Sequence, residues 1–62
     1  MVYVYSSEAE AKAIRMTLYY LGYEALQIGS AILCEPKVYE DLIDKTMAPK
    51  AAIVAEQKEV SE

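Results

Sequence analysis

The chain reads as one short phrase written twice. Val2-Tyr3-Val4-Tyr5 leads into Ser6-Ser7-Glu8 and an amphipathic stretch that stops at Gly22. Ala31-Ile32-Leu33-Cys34 leads into Glu35-Pro36-Lys37 and a second amphipathic stretch that stops near Pro49. Each copy is followed by another short apolar run, 24–28 and 51–55. Strand, helix and strand, twice over, constrains the architecture tightly and the function hardly at all.

The local signals are clear in both copies. Ser7 and Glu10 have the spacing of a capping box, in which the hydroxyl accepts from the Glu10 amide and the carboxylate reaches back. Glu8 and Glu10 also stand where the helix dipole favours anions. At 100° per residue Ala13, Ile14, Thr17, Leu18 and Leu21 fall on one side, with Glu8, Lys12, Arg15 and Tyr19 opposite. Gly22 supplies the left-handed residue that ends helices. In the second copy Pro36 suits a first helical turn. Val38, Tyr39, Leu42, Ile43 and Thr46 gather on one face, with Met47 at its margin. Lys37, Glu40, Asp41, Asp44 and Lys45 gather on the other, and Pro49 prevents easy continuation.

Between the helices, Glu24 to Glu35 reads as a hairpin. Gly29-Ser30 is a two-residue loop with Gly first, the composition of a type II′ turn. One face of the hairpin then carries Glu24, Leu26, Ile28, Ala31 and Leu33, and the other Ala25, Gln27, Ile32 and Cys34. The first set is the more apolar at its centre and is expected to meet the helices. Residues 51–55 suit a strand or a proline-led helix, since periodicity cannot settle so short a run. The internal repeat sides with the strand, because 51–55 occupies the place of 24–28.

The expected fold is therefore α+β, the ferredoxin-like split βαβ order β-α-β-β-α-β. Right-handed crossovers lay both helices on one face of an antiparallel four-stranded sheet. The domain is expected to span 1–55, and 56–62 to form a polar, flexible tail. If Val2 and Val4 pack under the helices, the bare face carries Tyr3, Tyr5, Gln27, Ile32 and Cys34. These five are the expected interaction face.

Composition decides what such a face can bind. A single domain of 62 residues buries only about 60% of its unfolded surface, and its core supplies only about 3–5 kcal/mol. Chains of this size often add disulfides, a metal or a partner subunit. One cysteine and no histidine leave no internal disulfide and no usual zinc ligand set, so no cofactor or metal is expected. Self-association remains, and a homodimer is the expected partner state, through the open sheet face or an edge strand. The net charge is −4, and Lys12, Arg15, Lys37, Lys45, Lys50 and Lys58 are scattered, forming no basic stripe. That balance argues against nucleic acid, whose binding draws on clustered cations. Glu8 and Glu10 interrupt the N-terminus, so a secretory leader is not expected. No apolar run approaches the roughly 20 residues of a membrane span. A cytoplasmic setting is expected, and the missing Asn leans towards a thermophilic source.

Catalytic constellations do not form on paper. Without histidine, Cys34 has no Cys-His partnership to lower its pKa, and it reads as a small apolar residue. Glu40, Asp41 and Asp44 cluster on a helix, but hard cations take about six oxygens, usually from a folded loop. A solvated acidic face is the simpler reading. The expected function is a small non-enzymatic interaction or regulatory module with an unidentified protein partner. The alternative is a single-stranded nucleic-acid module of the RNA-recognition kind, with Tyr3 and Tyr5 as stacking platforms.

Val2 to Ile28 resembles the opening of small GlnB-like domains, described as signal-transducing proteins of unknown function. The matching positions are Tyr3, Glu10, Ala11, Leu18, Leu21 and Gly22. The long loop such domains often carry between strands two and three is replaced here by Gly29-Ser30. The resemblance implies a ferredoxin-like regulatory or binding module and not an enzyme.

Overall fold

The computed structural model describes residues 1–56. Elements follow the order β1 (Val2–Val4), α1 (Glu8–Tyr20), β2 (Leu26–Ile28), β3 (Ala31–Leu33), α2 (Pro36–Thr46) and β4 (Ile53–Ala55). The four strands form one sheet in the order β2-β3-β1-β4, antiparallel throughout. This is the α+β, split βαβ arrangement, and residues 53–55 complete it as a strand rather than a helix. Of the tail expected over 56–62, Glu56 is exposed and 57–62 lie outside the described residues. No helix among the described residues is long and apolar enough to cross a membrane.

Each helix end has a stated cause. The Ser7 hydroxyl accepts from the Glu10 amide at 3.1 Å. The Glu10 carboxylate reaches one residue further back than a capping box requires, accepting from the Ser6 amide at 3.1 Å and the Ser6 hydroxyl at 2.9 Å. At the other end Gly22 has φ 95°. Its amide donates to the Tyr19 carbonyl, and the Tyr23 amide donates to the Leu18 carbonyl at 2.9 Å. That pair of bonds is a Schellman motif, which only a residue tolerant of positive φ closes without strain. Helix α2 ends differently: Met47, with no glycine to help, takes φ 55°. Its side chain is almost fully exposed rather than at the margin of the apolar face. In the hairpin turn Gly29 alone takes positive φ, at 59°, as a type II′ loop requires.

The core corrects the expected parity of the sheet. Tyr3 and Tyr5, each only 3% exposed, and Ile32, at 1%, lie under the helices with Ala11, Ile14, Leu18 and Leu42. Register carries the whole sheet with them, because Tyr3 stands opposite Ile32, and Ile32 opposite Gln27. Side chains alternate with period two, so the inward Tyr3 and Tyr5 turn Val2 and Val4 outward. Leu26, Ile28, Ala31 and Leu33, expected beneath the helices, therefore occupy the opposite face. The physical reason is volume. Two short helices leave a deep gap above the sheet, and Tyr3 fills it by stacking on Tyr39 of α2 at 4.0 Å and 10°. A valine would not reach. Helix α1 is also turned slightly from its expected stripe, burying Ala11 and leaving Ala13 exposed.

Tyrosine hydroxyls tie α2 to its surroundings. The Tyr39 hydroxyl accepts from the Ala51 amide at 2.9 Å, and the Tyr23 hydroxyl donates to the Asp41 carboxylate. The Tyr5 hydroxyl, by contrast, is buried without a partner among the described residues.

Candidate functional site

With both helices on one side, the other side of the sheet is open. Alternation and register place two rows of residues across it: Leu26, Leu33, Val2 and Ala55, then Ile28, Ala31, Val4 and Ile53. All are aliphatic. Leu26 is 58% exposed, and Ile28 and Ile53 are each 59% exposed. The four residues on the two central strands are half-buried. The face measures roughly 19 Å across the strands and about 10 Å along them, from ordinary strand spacing and rise. It offers no charge, no aromatic ring and no hydrogen-bonding side chain. A surface of this kind can exclude water against another apolar surface.

The five residues expected to form an interaction face are not brought together as one. Tyr3, Tyr5 and Ile32 belong to the core, where neither tyrosine ring is available to stack a base. Gln27 lies on the helix side and is held there. Its Oε1 accepts from Arg15 Nε at 3.1 Å, and its Nε2 donates to the Gly29 carbonyl at 3.0 Å and the Glu8 carbonyl at 3.4 Å. Cys34 is half-buried just beyond β3, its backbone exchanging bonds with Met1 at 3.1 and 3.2 Å. Burial pushes its thiol pKa up; the Met1 amino group opposes this and Glu35 reinforces it. The thiol is thus held away from its nucleophilic form.

The residues that do form the open face were visible as a set, since 26, 28, 31 and 33 share one side of the hairpin. What alternation could not say was which side the helices cover. Among the described residues no group of three or more His, Cys, Asp or Glu side chains could hold a metal ion. Comparison with family models, curated proteins and solved structures finds no match to this chain.

Proposed function

We propose that the chain is a small non-enzymatic interaction module that works as a homodimer through its open sheet face. The observation that carries this reading is the pair of uninterrupted aliphatic rows, Leu26-Leu33-Val2-Ala55 and Ile28-Ala31-Val4-Ile53. Exposed apolar patches of this continuity mark interaction surfaces. A second copy suits the face because it is flat and uncharged, and two such sheets stack about 10 Å apart as in a sandwich. It also supplies the second apolar layer that a chain of this size otherwise lacks.

The face is favoured over an edge-to-edge dimer. Each edge strand is three residues long, so pairing between copies would rest on a short ladder, whereas the face presents eight aliphatic residues. The face is smaller than the roughly 800 Å² per partner of a standard interface, so the dimer is a weak, concentration-dependent one. A reducing, cytoplasmic setting suits the free Cys34. A regulatory role is what the resemblance of residues 2–28 to GlnB-like domains implies.

Sedimentation equilibrium tests the reading. The wild-type chain is expected to pass from monomer to dimer between micromolar and millimolar concentration. Val4→Lys, at the centre of the face, is expected to stay monomeric with its circular dichroism unchanged. A wild type that is monomeric at 1 mM, or a dimer that survives Val4→Lys, would overturn it.

A further inference from the structure

The two copies of the strand-helix-strand phrase end in edge strands that are finished differently. Gln27 and Val54 occupy the same place, at the middle of β2 and of β4. Both side chains lie on the helix side, since Gln27 is in register with Ile32 and Val54 with Tyr3. At the β2 edge the Gln27 amide is tied to Arg15, Gly29 and Glu8, and the groove of about 510 Å³ beside α1 there carries Glu8, Lys12, Arg15 and Gln27 on its walls. At the β4 edge the aliphatic Val54 makes no such bonds, and the lining is more apolar. A groove of about 440 Å³ runs there between α2 and β4, with Tyr39, Ile43 and Val54 as apolar walls. Glu40 and Asp44 line it on the helix side and Lys50 on the other.

The backbone beside this groove is free to pair. On the β3 side Met1 exchanges both its backbone bonds with Cys34, and the Tyr5 amide donates to the Ser30 carbonyl. Alternation then turns the backbone of Val2 and Val4 towards β4, and that of Ile53 and Ala55 back towards β1. Val54 is left with its N–H and C=O directed outward. All of β4 is exposed; the edge is short, but its three residues carry neither the charge nor the proline that also blunts an edge.

We infer that the β4 edge and the α2–β4 groove together bind an extended peptide segment of the pattern aliphatic–Lys/Arg–aliphatic as a fifth strand. The central residue exchanges both backbone bonds with Val54, so its side chain lies on the helix side and enters the groove. A long cationic side chain suits that position. Its methylene stem covers Tyr39 and Ile43 while its head reaches Glu40 and Asp44. Two carboxylates against one ammonium leave the groove with a net negative charge. The flanking aliphatic residues extend the two rows of the open face beyond Ile53 and Ala55. A second copy is a poorer occupant of this edge. Its own central residue is Val54, with no charge to offer, and pairing would bring the Glu40 and Asp44 carboxylates of both copies together.

The test uses the full chain, labelled with nitrogen-15, and two capped eight-residue peptides that differ only at their centre, Val-Arg-Val or Val-Glu-Val. The Arg peptide is expected to shift the Val54 amide and slow its hydrogen exchange. The Glu peptide is expected to bind at least tenfold more weakly. In the Glu40→Gln, Asp44→Asn double variant, both positions being accessible and outside the core, that preference should vanish while weak binding persists. Equal affinity for the two peptides would overturn the inference. So would an unshifted Val54 amide, or shifts centred on Val2 and Leu33 instead. Concentration-dependent protection of Val54 in the free chain would assign the edge to a second copy, and equally sink it.

Discussion

The two faces of this sheet are both apolar, and only one of them is a core. The covered face is built from Tyr3, Tyr5 and Ile32, the open face from Val2, Val4, Leu26, Ile28, Ala31, Leu33, Ile53 and Ala55. By hydropathy alone the aliphatic set is the better interior. What decides the matter is reach: a tyrosine ring spans the gap to α2, and its hydroxyl can end at a polar margin. Hydrophobicity chooses which residues avoid water. Volume chooses which of them the helices cover.

Truncating each face in turn gives the largest test of that contrast. Tyr3→Ala removes the stack on Tyr39 and leaves a cavity, at a cost of about 3–5 kcal/mol by analogy with other buried aromatics. For a single small core that is nearly the whole stability, so the variant is expected to be unfolded by circular dichroism at 25 °C. Leu26→Ala, the same kind of deletion on the open face, should change urea stability by no more than about 0.5 kcal/mol at concentrations where the chain is monomeric. Comparable losses from both would mean the faces are not so different.

Alkali probes the covered face without a mutation. Burial raises the pKa of Tyr5, with Tyr39 and Cys34 adding to it, and burial raises that of Tyr3. The hydrogen bond to Asp41 raises that of Tyr23. The unfolded chain loses these protons from about pH 10, while the fold keeps them. Stability is therefore complete below that pH and is lost as pH climbs through the folded values. Thermal melts at pH 8, 10 and 11 should show a falling midpoint only above 10. A flat profile would place the tyrosines in water.

The Tyr5 hydroxyl gives a smaller effect of opposite sign. It is buried without a partner among the described residues, and an unpartnered buried polar group costs about 1–3 kcal/mol. Tyr5→Phe is expected to stabilise the chain by about 1 kcal/mol and to shrink its alkaline loss. Another small effect lies on neither face. Met47 holds φ 55°, and Met47→Gly should add about 0.5–1 kcal/mol by relieving that strain. Chemical denaturation resolves both.

Much of the fold was legible because its punctuation is local. Ser7, Gly22, Pro36 and Gly29-Ser30 each act on their own neighbours, and each stands where its chemistry places it. The strand at 53–55 was legible only through the repeat. The candidate site was not. Period two sorts residues into two sets but attaches no label to either, and here both sets are apolar. The deciding contact, Tyr3 on Tyr39, joins β1 to a helix far along the chain. No window along the sequence contains it. The contrast between Gln27 and Val54 was equally hidden, since the gaps they border exist only once the helices have packed.

The strand order has a further consequence for the making of the protein. β1 leaves the ribosome before the other three described strands, yet it lies inside the sheet, and its outer neighbour β4 is the last of the four. Until β4 emerges, Val2 and Val4 border an unpaired edge, and the nascent chain cannot close its sheet. Folding therefore waits for synthesis rather than following it. A chain cut short before Ile53 would release a sheet whose central strand is its edge.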